Sequence, residues 1–349
     1  MNKVIEEDLL RVLERVELGK LKDKSILVTG SNGLIGTYIV MALYLANKKH
    51  NLNIKVIGVS KNDPNKTLSE IKEDENSTFY QKNLVEDSGF DEKFDYVIHA
   101  ATYAQPVKFL ENKMETIKLN TVVTEKLLDT CKKNSSSFLF ISSSEIYGQA
   151  EKIPTPESYN GNCSPIYERA PYTESKRLGE TICSVFKESG VDVKIARCSS
   201  VYGPGISVYD KRVLGNFLNK AMIKGYIDLL DSGRQERAWL YVGDCVIMLL
   251  NILLHGESFV YNVGGEELTS IKDLAKTVCE LTNSEYSLPR DTSETFMAGA
   301  PDRVKLDISK IKNEFKLDNL VEIKEGVKRT IEWNREFIKM HDIDEKKHE

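Results

Sequence analysis

The run Ser25-Ile26-Leu27-Val28-Thr29, followed at once by Gly30-Ser31-Asn32-Gly33-Leu34-Ile35-Gly36, leaves this chain few ways to fold. A short β-branched run with no polar alternation reads as a strand buried on both faces, as in a parallel sheet covered by helices. Leu34 to Ala46 then takes up helical spacing, so the glycines occupy a strand–turn–helix. Their G-x-x-G-x-x-G spacing has a steric reading. Gly30 permits the tight turn off the strand, Gly33 lets backbone approach a pyrophosphate, and Gly36 lets helix and strand pack closely. The helix start, with Asn32, Leu34 and Ile35 in the same loop, would offer free N–H groups and partial positive charge to an anion. A glycine triplet alone is weak evidence, because turns collect glycine for steric reasons. Its place near the start of a sheet is what points to a dinucleotide.

Further buried-strand runs follow at Ile54–Val59, Asp95–His99, Phe138–Ile141 and Val191–Ala196, with helical stretches at Met114–Cys131 and Thr173–Phe186. Alternating strand and helix predicts an α/β fold of the Rossmann type, a doubly wound parallel sheet. From about Gly205 the pattern is less regular, with helix candidates at Leu214–Lys224, Val242–Leu254, Ile271–Leu281 and Glu325–Phe337 and short strands at Ile227–Leu230 and Ser258–Asn262. The organisation expected is an amphipathic N-terminal helix over 1–22 and a dinucleotide-binding unit with the catalytic residues over 23–204. A smaller mixed α/β substrate lobe follows over 205–338, then a flexible tail over 339–349. A length of 349 residues agrees with more than one core.

Composition removes several classes. The net charge is −5, without the basic surplus of a duplex-binding protein, so no nucleic-acid partner is expected. Acidic residues begin at Glu6, which argues against a secretory signal. No stretch approaches the roughly 18 apolar residues of a membrane span. The six cysteines contain no C-x-x-C pair and the five histidines lie far apart, so no disulfide framework or metal site is expected. These features together predict a soluble, cytoplasmic protein without a membrane partner.

Two positions bear on the cofactor. The second strand ends in Ser60-Lys61, where an acid would grip the adenine-ribose hydroxyls of NAD. A hydroxyl and a cation would suit the 2′-phosphate of NADP; alternatively Ser60 contacts the ribose and Lys61 points to solvent. NAD and NADP both stay open on this reading.

Tyr172 and Lys176 stand four apart at the start of a predicted helix, which puts both on one helical face. Such a pair is often a mere surface contact. Ser142-Ser143-Ser144-Glu145 changes the weighting, because it follows a buried strand at the sheet edge where open α/β folds bind ligands. A phenol with an ordinary pKa of about 10 is a poor base at neutral pH. A neighbouring ammonium and a cationic nicotinamide would favour the phenolate. Tyr172 would then remove a hydroxyl proton as hydride leaves, Ser143 would orient the same oxygen, and Lys176 would tune the tyrosine and hold the nicotinamide ribose.

The chain resembles the extended short-chain dehydrogenase/reductases of the nucleotide-sugar epimerase/dehydratase group, from about Lys24 to Trp333. The residues that carry the likeness are Thr29–Gly36, Val97–Thr102 (VIHAAT), Ile141–Gly148 (ISSSEIYG), Pro171–Glu180 (PYTESKRLGE), Val201–Gly205 and Arg237–Val246. Within the group, Glu157–Arg169 and Phe109–Thr121 resemble the UDP-glucuronate decarboxylase branch. The resemblance implies an NAD(P)-dependent enzyme that oxidises a nucleotide sugar at C4 and then decarboxylates or dehydrates it. It implies catalytic roles for Ser143, Glu145, Tyr172 and Lys176, and a tightly bound dinucleotide against Asn83, Leu84, Ala100, Ala101, Thr102 and Asn120. Gln105, Ser144, Glu145, Ser200 and Arg237 would face the nucleotide sugar. A homodimer is implied too, through a four-helix interface built from Met114–Cys131 and Thr173–Phe186.

Several positions depart from the group's pattern. Ser60 stands for its usual aspartate, Asn83 for an aspartate near the adenine, and Ser200 for a diphosphate-binding asparagine. Gly243 stands for an acid, and Ser144 fits Thr-Ser-Glu rather than Thr-Asp-Glu. A 4-epimerase and an NADPH-dependent 4-keto-sugar reductase are the alternatives. A non-catalytic dinucleotide sensor is more remote, since Tyr172, Lys176 and Ser143 are all present.

Overall fold

The first strand, β1 (Ser25–Thr29), has no exposed residue, and its neighbours explain why. It lies between β2 (Lys55–Ser60) and β4 (Tyr96–His99), with β3 (Ser77–Gln81) outside β2. On the other side come β5 (Ser137–Ser143), β6 (Val193–Cys198) and finally β11 (Val260–Val263). All seven strands run parallel, in the order β11-β6-β5-β4-β1-β2-β3. The chain winds outward in both directions from β1, so the crevice between the carboxyl ends of β1 and β4 is where such a sheet receives a ligand. The computed structural model describes residues 1–90, 92–206, 208–289 and 301–340.

Helices cover both faces. On one lie α1 (Lys3–Arg15), α2 (Leu34–His50) and α9 (Val242–His255), which share a core with β1 and β4. On the other, α6 (Val122–Asn134) and α7 (Ala170–Glu188) bury Leu127, Leu128, Cys131 and Cys183 against Phe138 and Phe140. Short helices α3 (Lys66–Ser69), α4 (Pro106–Glu111) and α5 (Lys113–Asn120) complete this half. The helix expected over Met114–Cys131 is broken at Thr121, whose φ of −122° and ψ of −76° separate α5 from α6. Strand β3 has no counterpart in the sequence reading. Its burial is low and irregular, so neither a continuous apolar run nor an alternation marked it.

Every residue of α9 except His255 is buried, and α2 is apolar nearly all round. Such helices need cover on two sides. The sheet covers one, and α1 covers the other with Ile5, Leu9 and Val12. The N-terminal helix expected on the outside of the sheet unit therefore forms a second layer over α2 and α9.

The remaining elements form the smaller mixed part: β7 (Val201–Tyr202), α8 (Val213–Asn219), β8 (Tyr226–Asp228), β9 (Glu236–Ala238) and β10 (Leu240–Tyr241). They are joined by β12 (Leu268–Ser270), α10 (Ile271–Thr282), β13 (Glu285–Ser287), β14 (Arg303–Val304), α11 (Ser309–Phe315) and α12 (Ile323–Met340). Side chains of α8, α10 and α12 share a third core with Tyr202 and Tyr241. The region from 205 onward, expected to be mainly the smaller lobe, also builds part of the main sheet. After β10 the chain returns to the main sheet, lays α9 beneath it and adds β11 as its edge strand beside β6. The apolar character of Val242–Leu254 demands that burial. Residues 339 and 340, assigned to a tail, still belong to α12, and 341–349 lie outside the described residues. Among the described residues, no helix is long and apolar enough to cross a membrane.

Candidate active site

The glycine loop closes off β1 as its spacing predicts. Gly30 has φ +71°, and a Cβ there would lie 2.8 Å from the carbonyl of Ala100 and the Cα of Ala101. A Cβ on Gly36 would lie 2.3 Å from the Gly30 oxygen. These contacts press the start of α2 against the ends of β1 and β4. Gly33 is the N-cap of α2 and contributes no side-chain hydrogen bond, so the leading N–H groups around Leu34 and Ile35 keep their capacity for an anion.

Two buried polar atoms in the same crevice also lack protein partners: Thr102 Oγ1, just after β4, and Asn120 Oδ1 at the end of α5. Asn120 Nδ2 donates to Ser175 Oγ at 2.9 Å. Orphaned acceptors are costly unless something fills them. The cradle and the uncapped helix fit a dinucleotide diphosphate, and the orphaned Asn120 oxygen suits a donor group elsewhere on such a ligand.

At the outer end of the crevice three predicted contacts are used differently. Asn32 Nδ2 donates to the carbonyls of Asn62 and Asp63 (3.2 and 2.7 Å), and its Oδ1 accepts from Asn65 N at 2.9 Å. Its side chain thus builds the loop after β2. The Ser60 hydroxyl donates to the Asn62 carbonyl. Asn83 Oδ1 accepts from Val85 N and its Nδ2 donates to Glu86, closing a local turn, while Leu84 packs into the core beside Ile57 and Val97. Short polar side chains at strand ends commonly satisfy the adjacent backbone in this way. Lys61 does not point to bulk water alone, for its Nζ lies 3.4 Å from Glu115 Oε1.

The reactive end is assembled by β5 and α7. Helix α7 opens with Pro171 in its first turn, where a missing N–H costs nothing. Gly179 lets it lie close, since a Cβ there would come within 2.6 Å of both the Asn120 carbonyl and the Phe140 ring. Tyr172 is 5 % exposed and Lys176 is 1 % exposed. The Tyr172 ring stacks on Phe109 at 4.9 Å and 13°. Ser143 ends β5, accepts from Glu145 N at 3.2 Å and counters the effect of burial on the Tyr172 phenol, while Ser144 begins a single 3-10 turn.

The spacing predicts that Lys176 lowers the phenol. In the structure, burial pushes Tyr172 well above its ordinary range, and the Ser143 hydroxyl opposes that rise. The Lys176 ammonium turns instead to the Ile141 carbonyl at 2.6 Å and lies 4.5 Å over Phe140. Burial pulls it down to about 7. A desolvated ammonium takes the nearest acceptor, and here that is backbone.

Glu145 is held by a residue absent from the sequence reading. Arg169 Nε and Nη2 clamp its two oxygens at 3.1 and 2.5 Å, and the guanidinium lies 5.1 Å over Phe109. One signal for Arg169 was available. A cation beside a helix N-terminus is disfavoured by the dipole, so an arginine just ahead of the Tyr172 helix needs a partner. Arg237, on β9, donates through Nη1 to the carbonyls of Glu236 and Asp302. Burial lowers its pKa; Glu145 pulls the other way, and Arg169 adds to the lowering. Arg237 thus feels the charges of Glu145, Asp302 and Arg169.

The other expected substrate residues lie around it. Gln105 Nε2 donates to Asp210 Oδ2 at 3.0 Å, and Asp210 is gripped by Arg212. Ser200 holds φ +48°, a left-handed backbone that asparagine adopts more readily than serine, and its carbonyl accepts from Leu240 N.

The NAD dependent epimerase/dehydratase family matches residues 26–264. UDP-glucuronic acid decarboxylase 1 of Xenopus tropicalis is 30% identical over 318 residues, covering 90% of this chain and 73% of its own. UDP-glucuronic acid decarboxylase 3 of Arabidopsis thaliana is 33% identical over 236 residues, covering 67% of this chain and 68% of its own. Among solved structures, the UDP-glucose 4-epimerase of Thermotoga maritima with UDP-glucose superposes with a TM-score of 0.76 at 26% identity, covering 90% of this chain and 99% of that one. A dTDP-glucose 4,6-dehydratase of Streptomyces venezuelae with NAD bound shares the fold at TM-score 0.77 and 22% identity, over 91% and 98% of the two chains. The matched span covers the glycine loop, the Ser143–Glu145 turn and the Tyr172–Lys176 helix, and on that evidence the chain belongs to the NAD dependent epimerase/dehydratase family.

Proposed function

We propose that this protein is a nucleotide-sugar decarboxylase that works through a 4-keto intermediate and keeps its nicotinamide dinucleotide bound through the cycle. The Arg169–Glu145 clamp beside Tyr172 carries the reading. A guanidinium fork matches a carboxylate, and a second, partly exposed guanidinium, Arg237, lies within electrostatic reach of Glu145 and Arg169. Such a site suits a sugar whose C5 substituent is itself a carboxylate. The sequence likeness to UDP-glucuronic acid decarboxylases supports the same substrate class.

A bound nicotinamide dinucleotide supplies the acceptor for the C4 hydride, a positive charge beside the phenol while oxidised, and the same hydride back at the end. Gly30, Gly33 and Gly36 would hold its diphosphate against the start of α2, with Thr102 and Asn120 lining the crevice. Tyr172 takes the C4 hydroxyl proton, Ser143 orients that oxygen, and Lys176 moves from the Ile141 carbonyl to the ribose. The ketone makes the C5 carboxylate a β-keto acid. Its C5–C6 bond breaks, the electron pair enters a C4–C5 enolate, and carbon dioxide leaves. Arg169 receives the incoming carboxylate in place of Glu145, and the released Glu145 takes a proton from water and delivers it to C5 of the enolate, which restores the 4-ketone. Tyr172 then returns its proton to the C4 oxygen. The smaller mixed part, with Gln105, Ser200 and Arg237 at its border, would hold the nucleotide diphosphate. A homodimer through α5, α6 and α7 belongs to this reading.

Purified protein incubated with UDP-, GDP-, CDP- and dTDP-linked sugars and uronic acids tests it by product mass. A product lighter by carbon dioxide from one uronic acid is expected. Loss of water, unchanged mass or a gain of two hydrogens would replace the reading with a dehydratase, an epimerase or a reductase.

A further inference from the structure

We propose that Glu115, on α5, supplies the carboxylate that reads the adenine-ribose hydroxyls and so restricts this protein to the dinucleotide without a 2′-phosphate. The inference rests on the reading above that a dinucleotide occupies the crevice at the carboxyl ends of β1, β2 and β4. Rossmann-type sheets that select NAD usually carry the acid at the end of the second strand, where it bonds the ribose hydroxyls. Here that position is Ser60, and its hydroxyl is spent on the Asn62 carbonyl. Lys61 follows, and a free cation there would welcome a phosphate.

Lys61 is not free. Its Nζ lies 3.4 Å from Glu115 Oε1, while Glu115 Oε2 accepts the Tyr103 hydroxyl at 2.6 Å. Three segments thus converge beside the end of β2: the loop after β2, the loop after β4 and the first turn of α5. Tyr103 and Lys61 both favour the ionised carboxyl, so Glu115 is charged at neutral pH. A carboxylate has about four lone-pair sites, and the two contacts leave capacity for ribose hydroxyls. A 2′-phosphate in the same place would meet that negative charge, and the lysine able to offset it is already paired. The acid lacking from β2 is in this way supplied from a helix, at a distance of 55 residues from Ser60 along the chain, where no local motif would reveal it.

The test needs no substrate. Protein is incubated with an equal mixture of NAD and NADP, desalted and denatured, and the released dinucleotides are quantified. Wild type is expected to retain NAD over NADP by at least ~10-fold, the scale of one close charge repulsion near a surface. Glu115→Gln should bring that ratio close to one, and Glu115→Asp should restore part of it. Lys61→Ala, which keeps the carboxylate, should still prefer NAD, and this variant keeps the test open if Glu115→Gln folds poorly. Retention of NADP over NAD by wild type overturns the proposal. So does an unchanged ratio in Glu115→Gln, or a preference lost in Lys61→Ala. Retention of neither dinucleotide by wild type would overturn the reading it rests on as well, whereas bound dinucleotide with an insensitive ratio overturns this proposal alone.

Discussion

At the residue scale the chemistry turns on Ser143, Glu145, Tyr172 and Lys176, of which Tyr172 and Lys176 are buried and Glu145 is partly exposed. Glu145 is expected to deliver the C5 proton, so Glu145→Gln should lower kcat by at least ~100-fold, the usual cost of losing a general acid–base group, while bound dinucleotide stays unchanged. Near-normal turnover in that variant would remove Glu145 from the mechanism. Ser143 opposes the upward push of burial on Tyr172. Ser143→Ala should therefore raise the phenol further, and the rising limb of kcat against pH should move to higher pH; an unmoved limb would show that Ser143 does not touch the reacting oxygen. Ser143, Glu145, Tyr172 and Lys176 were legible because each sits in a short segment whose strand or helix fixes its direction. Arg169 was not, since its partner lies 24 residues earlier and only the packing of α7 on β5 joins them.

Lys176 also links site to stability. Burial holds its ammonium at about 7, below the ordinary value of a lysine in the unfolded chain. Between the two values the unfolded state binds more protons, so this group's penalty is full below about 7 and disappears as pH rises towards the ordinary lysine range. The stability difference between wild type and Lys176→Met, read from urea titrations, should accordingly shift in favour of wild type as pH rises through that window. A pH-independent difference would mean that the lysine is not buried as a neutralising group.

At the element scale, α1 is fastened by charge as well as by apolar packing. Asp8 is 5 % exposed and accepts hydrogen bonds from Tyr38 on α2 (2.9 Å) and Tyr241 on β10 (2.6 Å), while Arg329 on α12 pairs with it at 2.9 Å. Arg11 pairs with the buried Asp244 at the start of α9 at 2.6 Å. One short helix thus ties the sheet unit to the smaller part. Removing one member of a buried pair strands the other, so Arg329→Met should cost about 3–5 kcal/mol in urea unfolding. Asp8→Asn added to Arg329→Met should recover part of that loss, because the uncompensated charge goes with it. If the double variant is as unstable as the sum of the singles, the pair is not coupled. The amphipathic spacing of Ile5, Leu9 and Val12 revealed the helix, but not its polar anchors, whose partners are spread over four later elements.

At the scale of the whole molecule, the outer surface of α5, α6 and α7 carries exposed Met114, Val122, Leu178 and Val185. Leu178 and Val185 are seven apart, two turns along one face of α7. Covering such a stripe is what the proposed homodimer would do. Light scattering should give twice the monomer mass for wild type, and Leu178→Asp with Val185→Asp should give the monomer; a monomeric wild type would end the proposal.

The order of strands and helices through β6, apart from β3 and the short helices α3 and α4, the glycine cradle and the Tyr172–Lys176 face were written in the sequence, because hydrophobic period and glycine spacing are local properties of consecutive residues. The return of α9 and β11 to the main sheet, the break at Thr121, the clamp of Arg169 on Glu145 and the pairing of Lys61 with Glu115 were decided only by tertiary structure. Each depends on which distant segments come into contact, and burial then sets the charge and direction of every polar group enclosed between them.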